Sequence, residues 1–156
     1  LDLRDPRLRV RRAGGAARGN LRSLLDGLPR TLAVSNRTHA KAEALAAQFA
    51  PLGPIEAIAP EVLRGHRFDL VINSTSVGVA SDTHDWPTSV FAPGAFAYDL
   101  VYADQPTQFV RWAAQHGAAR TADGLGMLIE QAAESFFLWR GVRPHTVPVF
   151  ALLRPR

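Results

Sequence analysis

The chain alternates between short runs of apolar residues and longer runs of helical character. Residues 31–35 (Thr-Leu-Ala-Val-Ser) and 68–73 (Phe-Asp-Leu-Val-Ile-Asn) have the length and composition of buried strands. Residues 39–49, which lie between them, form an alanine-rich stretch typical of a helix. Such alternation is typical of βαβ units, which build a mostly parallel sheet with helices on its faces. The sequence therefore predicts a three-layer α/β fold.

The same patterns predict the remaining elements. Further strands are expected at residues 8–12, 55–58, 95–102 and 118–122. Further helices are expected at 107–116, 124–139 and 146–153, with one helical turn at 60–63. A helix after the first strand is indicated by four leucines at helical spacing, Leu21, Leu24, Leu25 and Leu28. Thr38 is expected to cap the helix 39–49. Residues 76–94 lack periodicity and are predicted to form an exposed loop over a site.

The length and composition indicate one globular domain spanning residues 1–156. Apolar residues make up 47% of the chain and charged residues 21%, a balance that supports a proper core. No apolar run approaches the roughly 20 residues that span a bilayer. The basic N-terminal segment lacks the apolar stretch of a secretory signal, so we expect a cytoplasmic protein without membrane partners.

Metal and thiol chemistry are not indicated. The chain contains no cysteine, which excludes disulfides and thiolate ligands. Its five histidines are scattered, and no two of them have the i, i+4 spacing that would aim two imidazoles at one metal ion. We therefore expect no metal site.

The net charge of +4 is concentrated at the N-terminus. Residues 1–30 contain eight arginines and three aspartates, whereas residues 31–156 contain ten cations and eleven acids. A basic arm of this kind suits a nucleic-acid backbone, but no aromatic stripe or nucleic-acid motif accompanies it. We therefore expect no nucleic-acid partner.

A glycine-rich turn, Gly14-Gly15-Ala16, lies between the first predicted strand and the helix that follows it. Such a turn lets the backbone approach a pyrophosphate, whose charge is met by the free N–H groups of the helix N-terminus. This pattern favours a dinucleotide-binding fold of the Rossmann type. A glycine turn that merely packs the helix on the strand is the alternative reading.

The end of the second predicted strand indicates the nucleotide. NAD-specific sites place an acid there for the ribose 2′-hydroxyl. This chain instead has Asn36-Arg37-Thr38, followed by Lys41. Two cations, an amide and a hydroxyl suit a 2′-phosphate, and cations are the wrong sign for stabilising a helix N-terminus. The cofactor is therefore predicted to be NADP.

Five segments together give the chain a specific resemblance. They are Ala13-Gly14-Gly15-Ala16-Ala17-Arg18-Gly19, Asn36-Arg37-Thr38 through Lys41-Ala42, Asn73-Ser74-Thr75-Ser76-Val77-Gly78, Tyr98-Asp99-Leu100-Val101-Tyr102 and Asp123-Gly124-Leu125-Gly126-Met127-Leu128. With these segments in this order, the chain resembles the C-terminal NADP-binding domain of the shikimate dehydrogenases over essentially its whole length. That family uses NADPH to reduce 3-dehydroshikimate to shikimate in aromatic amino-acid biosynthesis.

The resemblance implies roles for the matching residues. Those implied to bind the cofactor are Gly14, Gly15 and Ala16 at the pyrophosphate, Asn36, Arg37, Thr38 and Lys41 at the 2′-phosphate, and Leu100, Gly124 and Met127 near the nicotinamide. Asn73, Ser74 and Thr75 are also implied to bind the cofactor, as a wall at the end of the fourth strand. Tyr102 and Gln131 would contact shikimate. Without the resemblance, structural roles would be the better interpretation of these two residues, Tyr102 as an aromatic residue at a strand end and Gln131 as an exposed amide on a helix.

The catalytic groups of the family lie outside this stretch of sequence. A lysine and an aspartate in a preceding domain handle the proton and the substrate hydroxyls in the family. The only lysine here is Lys41, which the resemblance places at the adenosine end of the cofactor. We therefore expect the 156 residues to bind NADP(H) but not to catalyse the reaction by themselves. The resemblance implies that shikimate or 3-dehydroshikimate binds only when a substrate domain is supplied.

The first strand departs from the family pattern. Arg12 replaces the first glycine of the turn, and Arg9 and Arg11 lie where a buried parallel strand is nearly all apolar. Buried charges are costly, so we expect this strand at a sheet edge, displaced, or with its arginines exposed. Arg12 is expected to strain the turn, or else to meet the pyrophosphate directly.

The predicted helix 124–139 carries more apolar residues than a small sheet covers. We expect it to dock on another domain or to mediate self-association. A second reading of the whole chain follows, in which it is a stand-alone NADP-binding or partner-binding module without catalysis.

Overall fold

The computed structural model describes residues 5–12, 14–75, 86–87 and 89–154. Within these residues the strands are β1 (Arg7–Arg11), β2 (Thr31–Ser35), β3 (Ile55–Ala57), β4 (Phe68–Asn73), β5 (Phe91–Asp99) and β6 (Arg120–Ala122). The α-helices are α1 (Gly15–Asp26), α2 (His39–Phe49), α3 (Gln108–Gln115), α4 (Leu125–Arg140) and α5 (Val147–Leu153). Short 3₁₀ helices occupy Ala50–Leu52 and Pro60–Leu63.

The six strands form one parallel sheet in the order β3-β2-β1-β4-β5-β6. The chain runs outward from β1 to β3, then crosses back to place β4 on the other side of β1. The carboxyl ends of β1 and β4 therefore flank a topological switch point, where open α/β sheets bind ligands. This topology confirms the predicted Rossmann-type α/β fold.

Two apolar layers cover the sheet. On one face α1 and α2 pack on the leucine and valine side chains of β1, β2 and β4, and Leu8, Leu21 and Leu32 are completely buried. On the other face Phe109 and Ala113 of α3 pack over β4 and β5. Burial of each of these leucines contributes about 1.5–3 kcal/mol. Within the described residues, no helix has the length and hydrophobicity needed to cross a membrane.

The first strand was expected at a sheet edge, displaced, or with its arginines exposed. This expectation is wrong, because β1 lies at the centre of the sheet between β2 and β4. Its alternation places Leu8 and Val10 in the α1–α2 layer and Arg9 on the opposite face. Arg9 is only 3% exposed. Its guanidinium is accommodated because Nε and Nη2 donate hydrogen bonds of 3.2 and 3.1 Å to Ser35 Oγ.

The fifth strand starts earlier and ends earlier than predicted. Residues 91–94 belong to β5 rather than to a loop, and the strand ends at Asp99 rather than at residue 102. The Pro93-Gly94 pair looks like a turn in the sequence. It is an irregularity within the strand, where Gly94 has φ +78° and the register against β4 shifts. Of the rest of the predicted loop, residues 76–85 and 88 lie outside the described residues.

Two local predictions around the helices are also wrong. Leu28 does not belong to the apolar face of α1, because the helix ends at Asp26 and Leu28 has φ +56° with 72% of its surface exposed. Thr38 does occupy the N-cap position of α2, but its side chain makes no capping hydrogen bond.

Candidate functional site

The sequence-predicted site residues gather at one edge of the sheet. Because all neighbouring strands are parallel, the segments that follow β1, β2, β4, β5 and β6 leave the sheet at the same carboxyl edge. The predicted residues lie in these segments, at the end of β4 (Asn73), or in the first two turns of the adjoining helices α1, α2 and α4 (Gly15, Ala16, Lys41, Met127 and Gln131). The edge spans three strand spacings from β2 to β5, or about 14 Å.

The glycine turn joins β1 to α1 and faces open space. Gly14, Gly15 and Ala16 are exposed, and Gly14 is the N-cap of α1 with φ −91°. Among the described residues no side chain caps this helix and its first turn holds no acid, so its first N–H groups form a positive helix end without a capping side chain from that part of the chain. A Cβ added at Gly14 or Gly15 would meet no atom of the described residues within 4 Å. Neither packing nor backbone angle requires glycine here, whereas close approach of a ligand would.

Arg12 enters this turn in a strained conformation. Its φ is +75°, in the left-handed region that favours glycine. The strain is held by the sheet, because the Arg12 amide donates a 2.7 Å hydrogen bond to the Ser35 carbonyl. Arg12 therefore adopts a backbone conformation that favours glycine, the residue that the family pattern has at this position.

The segment after β2 presents two cations. Arg37 and Lys41 are exposed, and within the described residues neither side chain makes a hydrogen bond or an ion pair. Asn36 Nδ2 donates a 2.9 Å hydrogen bond to the Thr38 carbonyl, which shapes the turn between β2 and α2. The Thr38 hydroxyl is exposed and does not cap the helix. Two cations and a hydroxyl thus surround one solvent-facing turn.

The segment after β4 is polar but buried. Asn73 and Ser74 are buried and Thr75 is half-buried. Ser74 fastens this segment to β1, because its hydroxyl donates a 2.6 Å hydrogen bond to the Arg11 carbonyl. Thr75 Oγ1 donates to Asn73 Oδ1 at 3.0 Å. The wall predicted at the end of the fourth strand is therefore a tied turn beside the switch point.

Asp99, at the end of β5, is a functional candidate that the sequence interpretation did not select. It is buried, and its carboxylate accepts hydrogen bonds from Asn73 Nδ2 at 3.0 Å and Thr107 Oγ1 at 2.6 Å. Burial raises the pKa of Asp99 above its ordinary value, although these hydrogen bonds and one from the Val101 amide oppose the shift. The carboxylate ties two strand ends to the start of α3.

The segment after β5 lies against the start of α4. Gly124 N donates to the Val101 carbonyl at 2.9 Å. A Cβ on Gly124 would lie 2.3 Å from the Leu100 carbonyl oxygen, so only glycine fits. The approach brings Leu100 and Gly124 together at the nicotinamide end proposed by the resemblance, with Met127 one turn further along α4.

Leu100 and Met127 also line a cavity of about 270 Å³ between α1 and α4. Its walls are mostly apolar, and Leu24, Phe96 and Tyr98 contribute to them. Burial raises the pKa of Tyr98. The cavity opens beside the predicted nicotinamide end, so that end is apolar whereas the β2 end is cationic.

The two predicted substrate residues point to solvent. Tyr102 is 51% exposed, and Gln131 is exposed on α4. No hydrogen bond joins these two side chains. Gln131 follows Met127 by four residues, which places the two on one face of the helix. Among the described residues, no group of three acidic or histidine side chains is arranged to hold a metal ion.

Sequence comparison identifies proteins similar to this chain. Residues 124–148 match the family of Shikimate 5'-dehydrogenase C-terminal domains. Shikimate dehydrogenase (NADP(+)) of Alkalilimnicola ehrlichii is 54% identical over 98% of the chain, and that of Nitrosospira multiformis is 51% identical over 97%. The matched residues amount to 56% and 55% of those two proteins, so the chain spans little more than half their length.

Solved structures agree with the fold. An Ael1 enzyme from Pseudomonas putida superposes with a TM-score of 0.88 and 42% identity, over 99% of this chain and 57% of that protein. Shikimate 5-dehydrogenase from Thermus thermophilus, solved in complex with shikimate, gives a TM-score of 0.72 with 36% identity. The match covers 94% of this chain and 52% of the Thermus protein.

Proposed function

Because this chain belongs to the shikimate dehydrogenase family and matches the C-terminal half of its members, we propose that it is the NADP(H)-binding half of such an oxidoreductase. The observation that carries this proposal is the pairing of an open glycine turn with two cations after the neighbouring strand, neither of which has an ion-pair partner among the residues that the structure describes. Backbone amides without a side-chain cap suit a pyrophosphate. Arg37 and Lys41 suit a second, separate phosphate.

The cofactor would lie across the carboxyl edge of the sheet. Its pyrophosphate would meet Gly14, Gly15 and Ala16, and its adenosine 2′-phosphate would meet Arg37 and Lys41, with Asn36 and Thr38 beside them. Its nicotinamide would lie near Leu100, Gly124 and Met127, against the wall of Asn73, Ser74 and Thr75. This order runs from the cationic end of the edge to its apolar end, which matches the polarity of the ligand.

Substrate chemistry requires groups beyond those proposed for the cofactor. Bound NADPH would supply the hydride that reduces the ketone of 3-dehydroshikimate. Tyr102 and Gln131 would contribute to the shikimate side of the pocket. Lys41 is the only lysine in the sequence and lies in the first turn of α2, three strand spacings from the proposed nicotinamide end. The proton donor would therefore come from the part of the relatives that these residues do not match.

The test is a titration of the purified chain with NADPH and with NADH, followed by energy transfer from tryptophan to the nicotinamide. Charge-assisted contacts from Arg37 and Lys41 would contribute about 2–3 kcal/mol to binding of the 2′-phosphate. NADPH should therefore bind roughly 30-fold to 150-fold more tightly than NADH. Arg37→Ala should lose most of this preference by weakening NADPH binding alone.

Arg64→Ala is the matched control, because Arg64 is an exposed cation before β4, at the opposite edge of the sheet. It removes the same charge and should leave both affinities within about twofold of the wild type. Equal affinities for NADPH and NADH in the wild-type chain would contradict the proposed 2′-phosphate contacts. Absence of binding by either nucleotide would contradict the proposed function as a whole.

We also propose that the apolar surface of α4 and α5 covers another protein surface in the assembled protein. Leu138, Trp139, Val147 and Leu152 are each at least 74% exposed, which is a large apolar surface for one domain. The proposed occupant is the part of the relatives that this chain does not match, and Shikimate dehydrogenase (NADP(+)) of Alkalilimnicola ehrlichii is almost twice as long as the matched stretch.

In the absence of that occupant, the same surface would make the chain self-associate, as predicted for the helix 124–139. Sedimentation of the isolated chain should then reveal a dimer that Trp139→Asp dissociates, with Arg64→Ala as the control. A dimer that survives Trp139→Asp would place the contact elsewhere. A chain that stays monomeric at all concentrations would exclude self-association through this surface.

A further inference from the structure

Arg154 reaches back from the end of α5 to the site edge. Its Nη2 donates a 3.1 Å hydrogen bond to the Ala103 carbonyl and forms an ion pair with the Asp123 carboxylate. The Asp123 side chain is 6% exposed and that of Arg154 is 38% exposed. A C-terminal cation thus contacts two loops that are far from it in sequence.

The two loops are the segments proposed to surround the nicotinamide. Asp123 precedes Gly124, and its second carboxylate oxygen accepts a 3.2 Å hydrogen bond from the Leu125 amide at the start of α4. Ala103 follows Tyr102 in the segment after β5. The loops already touch through the Gly124 and Val101 backbones. Arg154 adds a second tie on the outer side of that contact.

We propose that Arg154 is a positioning residue for the nicotinamide end of the cofactor site, an inference that rests on the proposed function. By pairing with the buried Asp123 carboxylate, it fixes the start of α4, and hence Gly124 and Met127. By holding the Ala103 carbonyl, it fixes the segment that carries Leu100 and Tyr102. It has no contact with Gly14–Ala16 or Arg37, so the adenosine end is independent of it.

This division between the two ends gives a test that loss of stability alone would not mimic. NADPH occupies the whole proposed site, whereas adenosine 2′,5′-bisphosphate occupies only the adenosine end. Arg154→Met keeps the length of the side chain but leaves Asp123 and Ala103 without their partner. It should weaken NADPH binding about tenfold and change binding of adenosine 2′,5′-bisphosphate by less than about twofold.

Arg143→Met is the matched control. Arg143 pairs with Glu130 and Glu134 of α4, but all three side chains are about half exposed and none contacts the two loops. It should leave both ligands unaffected. Arg154→Lys keeps the charge beside Asp123 and should recover part of the NADPH affinity, which covers the case in which Arg154→Met unfolds.

Three results would overturn the inference. If Arg154→Met binds NADPH as tightly as the wild type, the two ties do not position the nicotinamide end. If both ligands weaken equally in Arg154→Met and in Arg154→Lys, Arg154 acts on the fold as a whole. If the wild-type chain binds NADPH no more tightly than adenosine 2′,5′-bisphosphate, the nicotinamide end of the site is not formed. Failure of the wild type to bind either ligand would instead reject the proposed function on which the inference rests.

Discussion

The side chains of Asn73 and Asp99 join the carboxyl ends of two neighbouring strands, with Asn73 Nδ2 donating a 3.0 Å hydrogen bond to Asp99 Oδ1. The two residues are also register partners in the β4–β5 pair. The remaining Asp99 oxygen accepts from Thr107, whose hydroxyl in turn accepts a 3.2 Å hydrogen bond from the Val110 amide and so caps α3. The buried Asp99 carboxylate therefore joins the ends of β4 and β5 to the start of α3 at the carboxyl edge of the sheet.

Asp99→Asn is expected to destabilise the fold by about 1–3 kcal/mol, because hydrogen-bond donors around the carboxylate lose their acceptor. The penalty should depend on pH. Burial raises the folded-state pKa of Asp99 above its unfolded value, so the folded protein holds the proton more tightly. The stability that Asp99 contributes is then present at low pH and is lost as the pH rises through the raised pKa.

The difference in unfolding free energy between wild type and Asp99→Asn should accordingly shrink as the pH rises from 4 to 7, as measured by urea denaturation. Asp104→Asn is the control, since Asp104 is exposed and makes no hydrogen bond with the other described residues. A difference that grows over this range would mean that the hydrogen bonds, rather than burial, dominate the titration of Asp99.

Gly124→Ala is expected to destabilise the protein by about 1–3 kcal/mol. The new Cβ would lie 2.3 Å from the oxygen and 2.7 Å from the carbon of the Leu100 carbonyl, and backbone atoms cannot move aside cheaply. Gly126→Ala is the matched control, in the first turn of the helix whose N-cap is Gly124. Its Cβ would meet only the Phe150 ring at 3.8 Å, so it should be neutral or stabilise by roughly 0.5 kcal/mol.

Thermal and urea denaturation followed by circular dichroism would compare these two glycine variants. The order of their stabilities is the decisive result. If Gly124→Ala were as stable as Gly126→Ala, the segment after β5 would not lie against the start of α4, and the proposed nicotinamide end would be wrong.

Local patterns were sufficient to predict α2 and β4, whose bounds match the structure residue for residue. In both cases the signal lies within the element, either as a helical run bounded by Thr38 and Pro51 or as a continuous apolar run. The start of β5 was missed because its signal is not local. The Pro93-Gly94 pair forms an irregular strand only through pairing with β4, which no property of those two residues reveals.

The glycine turn after β1 and the cations after β2 were predicted from local patterns of the same kind, which indicated that they lie at one edge of the sheet. The polar network behind that edge was not. Arg154 and Asp123 are separated by 31 positions, and Asn73 and Asp99 by 26. Side-chain pairs of this kind depend on the tertiary fold, and a single sequence contains no periodicity that would couple them.

Arg12→Gly is expected to be more stable than Arg12→Ala by about 1 kcal/mol, because φ +75° is a strained angle for any residue with a Cβ. Both variants remove the side chain, so their difference isolates the backbone strain, which urea denaturation would measure. If the Arg12 side chain also meets the pyrophosphate, both variants should weaken NADPH binding to a similar degree. Equal stability of the two variants would exclude strain at this position.

Arg9→Met is expected to stabilise the fold by about 1–3 kcal/mol at pH 7, because replacing a buried charge by an apolar side chain of similar volume removes its desolvation cost. Arg9 forms no ion pair with the residues that the structure describes, and its two hydrogen bonds to Ser35 Oγ compensate only part of the desolvation cost. Burial, together with the nearby charge of Arg11, lowers the pKa of Arg9 to about 10. The folded state therefore carries the full cost of the charge below pH 10, and the cost falls as the pH rises further.

A double-mutant cycle with Ser35 tests the origin of this cost by urea denaturation of four proteins. Ser35→Ala alone should destabilise by about 1–3 kcal/mol, because it leaves a buried guanidinium without its acceptor. In the Arg9→Met background the same substitution should change stability by less than about 0.5 kcal/mol. A loss of stability in Arg9→Met itself would show that the arginine is compensated by interactions beyond Ser35, and that the centre of the sheet is adapted to hold a charge.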